Sequence, residues 1–172
     1  DHTVYFKLDE SKLTSTGSMF NYVKKMTSIY FNPKFCGSNL IDMQAMFYEC
    51  NSLTSVDLTN FNTENVQSMA NMFYNCYSLK KLNISNFDTK KVKNMFSMFL
   101  GCRNLESIDL SNFDTRKLNE MTKMFYGSGI TNIDISNFNT ENIKYFTDLF
   151  NGCKNLTSIK ISKIRTYSII NM

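Results

Sequence analysis

The sequence predicts an α/β solenoid, a right-handed stack of about six strand–helix repeats with a parallel sheet on one face. Three observations predict this fold class. A Met-Phe pair recurs at intervals of about 26 residues, an apolar LxxLxL pattern follows it, and apolar residues with helical spacing precede the next pair. A unit of this length cannot bury both its faces alone, so stacking of the units is expected.

The Met-Phe pair defines the repeat. It occupies 19–20, 46–47, 72–73, 98–99 and 124–125, and Leu149-Phe150 stands in the same place in the last copy. The repeats differ in length only in the turn segments at 32–34 and 127–130, as expected where the core is shared between neighbours. We therefore predict one domain over 1–172, with a degenerate opening repeat at 1–20 and repeats of about 26 residues over 21–172.

The predicted strand of each repeat is short. "LTSVDL" at 53–58 and "LESIDL" at 105–110 end in an alternation of apolar and polar residues, which is typical of a half-buried strand. Strands of successive repeats would pair in parallel, and strand–helix–strand connections are right-handed for steric reasons. The outward columns of this sheet would form the exposed face that stacked repeats commonly use for recognition.

A helix is predicted to close each repeat. Within "TENVQSMANMFYNC" at 63–76, the apolar positions recur as on one face of a helix. These positions are Val66, Met69, Met72, Phe73 and Cys76. Asn62 or Thr63 is a suitable N-cap, and equivalent residues recur in the next two repeats.

Two segments carry a family resemblance. "LNISNFDTKKVKNMFSMFLGC" at 82–102 and "IDLSNFDTRKLNEMTKMFYG" at 108–127 resemble the BspA-like leucine-rich repeats, in the Met-Phe-Cys variety of low-GC bacteria. The resemblance covers nearly the whole chain. It implies a curved right-handed solenoid, location at the cell surface or secretion, and adhesion or binding of host proteins. The chain departs from the pattern where Val23 and Ser128 stand in the Cys column.

Composition excludes several classes of protein. The formal charge of +4 is spread along the chain, which does not indicate a nucleic-acid partner. No apolar run approaches the roughly 20 residues that cross a bilayer, so membrane insertion by this segment is not predicted. The five cysteines, at 36, 50, 76, 102 and 153, lack CxxC spacing. We expect free thiols packed in the core.

Catalytic residues are not predicted. His2 is the single histidine, and the recurring acids share columns with Asn, Lys and Tyr, so the repeat does not require a carboxylate pair. Glycine is scarce and no phosphate-binding loop is present. The sequence therefore indicates a protein that is not an enzyme and has no cofactor and no metal site.

The middle outward column of the predicted sheet is the first candidate binding surface, because it varies in charge. Its members are Tyr30, Asp57, Asn83, Asp109, Asp134 and Lys160. A solvated sheet face without a ligand is the alternative.

Tyrosines after the Met-Phe pairs are the second candidate. They are Tyr48, Tyr74, Tyr77 and Tyr126. Tyrosine offers a large contact area with few rotamers to freeze, which favours a binding stripe. Half-buried packing between neighbouring repeats is the alternative interpretation.

Lysines crowd one repeat, at Lys80, Lys81, Lys90, Lys91 and Lys93. Such a run is usually a solvated face, although a patch for an acidic partner or a polysaccharide has the same composition.

The C-terminal segment "TYSIINM" at 166–172 places Ile169 and Met172 on the columns of Val66 and Met69. The sequence stops before the next Met-Phe pair, so we expect either a longer array truncated at this end or an exposed terminal repeat that self-associates.

Together these features predict a non-enzymatic protein-binding module of a bacterial cell-surface protein. Adhesion or recognition of a host extracellular-matrix protein is the expected role. The alternative is a structural spacer or self-associating scaffold with no dedicated ligand, for which a repetitive polar face is also expected.

Overall fold

A computed structural model describes residues 12–32 and 37–162, and these residues contain no α-helix. The predicted α/β solenoid of strand–helix repeats is therefore wrong. The strands of the described residues are β1 (Ser28–Ile29), β2 (Ser55–Val56), β3 (Asn132–Ile135) and β4 (Ser158–Ile161). They form two small parallel sheets, β1 with β2 and β3 with β4.

Strand register follows the repeat. Ser28 lies opposite Ser55, and Asp134 lies opposite Lys160. Between these sheets, the described segments at 80–84 and 106–110 occupy the same place in their repeats but form no strand. At this point the N–H of Lys80 lies 3.5 Å from the carbonyl oxygen of Thr54, at the limit of a hydrogen bond.

A second parallel ladder runs through the region where the sequence predicts helices. Its bridges join Ser15, Asp42, Ser68, Asn94, Glu120 and Tyr145 in that order. From each bridge onward, alternate amides donate to the next repeat; the N–H of Phe47, for example, donates to the carbonyl of Met72 at 2.9 Å. A helix would instead use these amides within its own turn. The repeats are therefore joined by their backbones where helix packing was expected.

Left-handed backbone explains why no helix forms. Asn71 and Asn75 have φ of 58° and 55°, and residues four apart at the same places in neighbouring repeats are also left-handed. This conformation is unfavourable for side chains with a Cβ and ends a right-handed helix. Tight turns replace the helix, as in the 3.1 Å hydrogen bond from the N–H of Cys76 to the carbonyl of Phe73. Consecutive turns of this kind return a side chain to the core every three or four residues, which imitates the helical period.

The predicted helix caps bind other groups. The Thr63 hydroxyl donates to the carbonyl of Asp88 at 3.1 Å and accepts from the N–H of Asp88 at 2.7 Å. Asn62 accepts from the N–H of Glu64 at 2.9 Å, which forms a local turn. The threonine therefore links two repeats, and the asparagine shapes the corner before it.

The core is a continuous stack of apolar columns. The Phe rings of successive repeats lie parallel, with centroids 5.5 Å apart for Phe47 and Phe73 and 5.7 Å apart for Phe73 and Phe99. Phe99 and Phe125 continue the stack at 5.5 Å. Offset aromatic stacking of buried rings contributes about 0.5–1.5 kcal/mol per pair beyond burial. Each repeat therefore depends on its neighbours for its core.

The Cys column lies beside the Phe column. Cys50, Cys76 and Cys102 are buried, Cys153 is partly buried, and all four are free thiols, which confirms that prediction for the described cysteines. Cys36 lies outside the described residues. The Cys76 thiol donates to the carbonyl of Phe47 at 3.1 Å. Burial raises the pKa of the Cys50 thiol to about 11, so this thiol remains protonated at neutral pH.

The predictions on the two ends fall mostly outside the described residues. Residues 1–11 of the opening repeat and 163–172, with Ile169 and Met172, are not described. Self-association through the C-terminal repeat stays a prediction. In the segments 12–32 and 37–162, no helix is long and apolar enough to span a membrane.

Candidate interaction surfaces

The column predicted for the sheet face, which we call the sheet-face column, is exposed along most of its length, but only Asp134 and Lys160 of its members lie in a strand. Tyr30 is 82% exposed, and the carboxylates of Asp57, Asp109 and Asp134 are also exposed. Lys160 donates to Asp134 at 2.9 Å across the β3–β4 pair. The structure therefore places the predicted residues of this column on the surface and brings the last two into an ion pair.

The acids of this column also hold local turns. Asp57 accepts from the N–H of Thr59 at 3.0 Å and from its hydroxyl at 2.6 Å. Asn83 and Asp134 accept from Ser85 and Ser136 in the same way. The signal was visible in the sequence as Asp/Asn-x-Ser/Thr, which is typical of a side chain that caps its own turn. The column therefore has a structural function that its charge pattern did not indicate.

Hydrogen bonds to these carboxylates favour their charged form. The Thr59 hydroxyl is the largest cause that lowers the pKa of Asp57, and the Ser111 N–H is the largest for Asp109. The Ser136 hydroxyl, followed by the Lys160 ammonium, lowers the pKa of Asp134 to about 2. The acids of this face are therefore anionic over the whole physiological range.

The predicted tyrosine stripe is divided. Tyr48 and Tyr74 stack with ring centroids 4.4 Å apart and planes 8° apart. Tyr77 instead lies under the guanidinium of Arg103, 4.6 Å from its ring centroid. Tyr126 is 36% exposed and has Lys123 over its ring at 5.8 Å.

The structure adds a third ring, Tyr22, that the sequence reasoning missed. Its ring meets that of Tyr48 edge to face at 5.4 Å, and it is 57% exposed. It was missed because it stands one residue later in its repeat than Tyr48 and Tyr74 do in theirs. We call the contiguous surface of Tyr22, Tyr48 and Tyr74 the tyrosine ladder.

A polar network borders the tyrosine ladder. Glu49 accepts from the amide nitrogen of Asn51 at 3.1 Å and from that of Asn75 at 2.8 Å. Asn51 also donates to the carbonyl of Asn75 at 2.9 Å. Burial, and after it the neighbouring Tyr74, raise the pKa of Tyr48 to about 12, so its hydroxyl stays neutral and can donate. The ladder thus combines aromatic area with ordered polar groups.

The lysine cluster of the sequence is also divided. Lys80 and Lys81 continue the register of Thr54 and Ser55. The other three lie later in the repeat, just before the second ladder. There Lys91 donates to Asn65 at 2.6 Å and Lys93 donates to Gln67 at 3.2 Å. Between the two groups the chain buries Ile84 and Phe87. The five lysines therefore do not form one patch.

The part of the chain that the structure describes has little enclosed space for a ligand. A small apolar cavity of about 10 Å³ lies among Met121, Ile135 and Phe138, room for about one water molecule. The described residues contain no group of three or more His, Cys, Asp or Glu that could hold a metal ion. The candidate sites that the structure presents are therefore surfaces.

Comparison with known proteins gives a family and nothing finer. Residues 5–82 and 77–172 each match the family model described as "Mycoplasma protein of unknown function, DUF285". No curated protein and no solved structure matches the chain. The two matches follow each other along the sequence and together span nearly all of it, so the chain belongs to the DUF285 family.

Proposed function

We propose that this chain is a non-enzymatic protein-binding module of a bacterial cell-surface protein related to the BspA-like surface proteins. Adhesion, with recognition of a host extracellular-matrix protein, is its proposed role. The tyrosine ladder is the observation that carries the proposal. Its three rings contact one another along the stack while Tyr22 remains more than half exposed. Membership of a Mycoplasma family is compatible with a low-GC surface protein.

The physical case rests on preorganisation. A tyrosine side chain contributes a large contact area and has few torsions. The stacking of Tyr48 on Tyr74 already restricts the torsions of these two side chains before a partner binds. The Glu49 network beside the rings supplies the polar groups that usually surround an aromatic anchor in an interface. Binding to this surface would therefore need little further ordering.

Binding of the purified chain to immobilised fibronectin and fibrinogen, at low and high salt, tests the proposal. We expect saturable binding that survives high salt, because burial of aromatic surface is not screened by ions. Replacement Tyr48→Ser should weaken this binding roughly tenfold or more, as for an interface anchor. Tyr126→Ser is the matched control, since Tyr126 holds the same place in its repeat but lies outside the ladder.

Two results would contradict the proposal. One is the absence of saturable binding to either matrix protein. The other is equal loss of binding in the two tyrosine variants, because this would show that the ladder has no special part. Circular dichroism and thermal unfolding of both variants establish that each remains folded.

The sheet-face column can be tested as the competing surface in the same assay. Asp57→Asn and Asp109→Asn remove charge but keep an acceptor for the turn, as Asn83 does naturally at the same place. If binding falls in the double variant and not in Tyr48→Ser, the binding surface is the sheet face.

A structural scaffold is the second candidate function, and a specific set of contacts favours it. Asn86 donates to the carbonyls of Leu58 and Phe61, each at 3.0 Å, and Asn112 and Asn137 repeat this contact in later repeats. Such links fix one repeat on the next, as a rigid spacer requires. Concentration-dependent self-association in sedimentation velocity, without binding to matrix proteins, would favour the scaffold.

A further inference from the structure

Five exposed cations lie together on two consecutive repeats, in the segment of each repeat just before its residue in the second ladder. We call this surface, made of Lys90, Lys91, Lys93, Arg116 and Lys117, the basic face. Asn94 pairs with Glu120 in the ladder, and the same offset puts Lys90 level with Arg116 and Lys91 level with Lys117. Neighbouring strands lie about 4.8 Å apart, so the two rows of cations are close.

Charge on the basic face is only partly compensated. Asp88 lies 3.2 Å from Lys90, and Asp114 pairs with Arg116, whose hydrogen bond is the largest cause lowering the pKa of Asp114. The other three cations have no carboxylate partner among the described residues. Lys91 and Lys93 donate to the neutral amides of Asn65 and Gln67, as given above, and Lys117 makes no ion pair there.

Positive charge falls off along the stack at two of the three cation positions. At the position of Lys90 and Arg116, the preceding repeat carries Glu64 and the following repeat carries Glu141. At the position of Lys91 and Lys117 the neighbours are neutral asparagines. At the position of Lys93, Asn119 stands in the next repeat and Lys144 in the repeat after it. At the positions of Lys90 and Lys91 the basic face is therefore about two repeats wide.

We propose that the basic face binds a short acidic segment of a protein partner; this rests on the proposed function and names the chemistry that the partner must offer. Carboxylates of such a segment would meet Lys91, Lys93 and Lys117, whose charges are available. The heads of Lys91 and Lys93 are already oriented by their hydrogen bonds to amides, which reduces the entropy lost on binding. Asp88 and Asp114 offer acceptors for any basic residue of the segment.

A long polyanion fits this surface less well. A nucleic acid or a sulfated polysaccharide carries charge continuously and would run past the cations onto Glu64, which repels it, and onto the neutral Asn65 and Asn142. The width of the basic face therefore favours a segment of a few acidic residues.

Fluorescence anisotropy with a labelled short poly-glutamate peptide tests this inference at physiological ionic strength. We expect binding that weakens roughly fivefold or more in Lys91→Ala/Lys117→Ala, since two exposed ion pairs are lost. Lys80→Ala/Lys81→Ala is the matched control, because it removes the same charge from the other register. Its affinity for the peptide should stay within about twofold of the parent chain.

Three outcomes would overturn the inference: no binding of the peptide, equal loss in both double variants, or tighter binding of a heparin fragment or duplex DNA of matched charge. The same variants are also tested on immobilised fibronectin and fibrinogen. Matrix binding with an inactive basic face would leave the proposed function intact and remove only this inference. Peptide binding without matrix binding would leave the basic face and remove the proposed role in matrix recognition.

Discussion

The hydroxyl of Thr89 holds Asp114 by two hydrogen bonds: it donates to the carbonyl oxygen at 3.1 Å and accepts from the N–H at 2.8 Å. Thr89 is fully buried, and Thr63 and Thr115 make the same pair of bonds one repeat to either side. A column that looks like a series of helix caps is therefore a hydrogen-bonded link between successive repeats.

The first prediction concerns this link. Thr89→Val keeps the shape of the side chain but leaves the N–H of Asp114 without its partner, which should lower the free energy of unfolding by about 1–3 kcal/mol. Urea denaturation measures the change. Thr54→Val is the control, because the Thr54 hydroxyl is exposed and the carbonyl of Thr27 that it contacts also accepts the Thr54 N–H. Equal effects of the two substitutions would contradict a special role for the buried column.

The second prediction concerns backbone strain at Ser97. This residue has φ of 52°, is buried, and its hydroxyl has no hydrogen-bond partner among the described residues. Ser97→Gly should therefore raise the free energy of unfolding by about 1 kcal/mol, because glycine is not strained at positive φ.

Ser97→Ala separates the two causes, since it removes the hydroxyl and keeps the strained backbone. Alanine is acceptable there, as Ala45 is left-handed and buried at the same place two repeats earlier. If chemical denaturation shows the alanine variant to be as stable as the glycine variant, the cost in unfolding free energy at this position comes from the unpaired hydroxyl and not from the backbone.

The third prediction concerns thiol reactivity. Burial raises the pKa of the Cys76 and Cys102 thiols far above the usual range, so their thiolate forms are scarce at pH 8. In a Cys36→Ser background, a thiol reagent should modify Cys153 first, because it alone of the four described cysteines is partly exposed. The other three should react only on unfolding. Rapid modification of Cys76 in the native chain, located by peptide mass analysis, would refute this order.

The fourth prediction concerns the loss of unfolding free energy at acidic pH. The folded-state pKa of Asp134 is depressed from 3.8 to about 2, so its charge stabilises the fold above the unfolded pKa. That contribution is lost as the pH falls from about 4 to about 2. Asp134→Asn keeps the turn acceptor but has no charge, so its deficit in unfolding free energy should shrink over this interval. A deficit that is constant with pH would show that the charge has no part.

Sequence reasoning located the core columns correctly and misassigned the backbone between them. Met72, Phe73 and Cys76 are buried as their spacing indicated. The helix was wrong because a series of tight turns gives the same apolar spacing. Glycine usually marks left-handed positions, and it does so at the second such position, at Gly101, Gly127 and Gly152. At the first position Asn71 and Lys123 stand instead, so the turn inside the predicted helix carried no glycine marker.

Comparison of the repeats by position alone missed some neighbours on the surface. Tyr22 joins the tyrosine ladder from a place one residue away from the column, and its contact follows from the path of the opening repeat. The turn function of Asp57 could have been inferred from Thr59 two residues later. The separation of the lysines into two groups could not have been inferred from the sequence, because it depends on where the backbone turns between Lys81 and Lys90.

The backbone ladder has a mechanical consequence. Alternate amides around Phe47 donate to the next repeat, so the described repeats depend on their neighbours for many of their backbone hydrogen bonds. Much of the cohesion of the stack therefore lies in the contacts between repeats. A tensile load applied between the two ends would act on every junction between repeats in series, and the junctions would rupture one at a time. Each junction that ruptures would release a repeat of about 26 residues and lengthen the chain by roughly 90 Å. Extension would therefore dissipate the work of pulling in steps, one repeat at a time, before the whole stack unfolds.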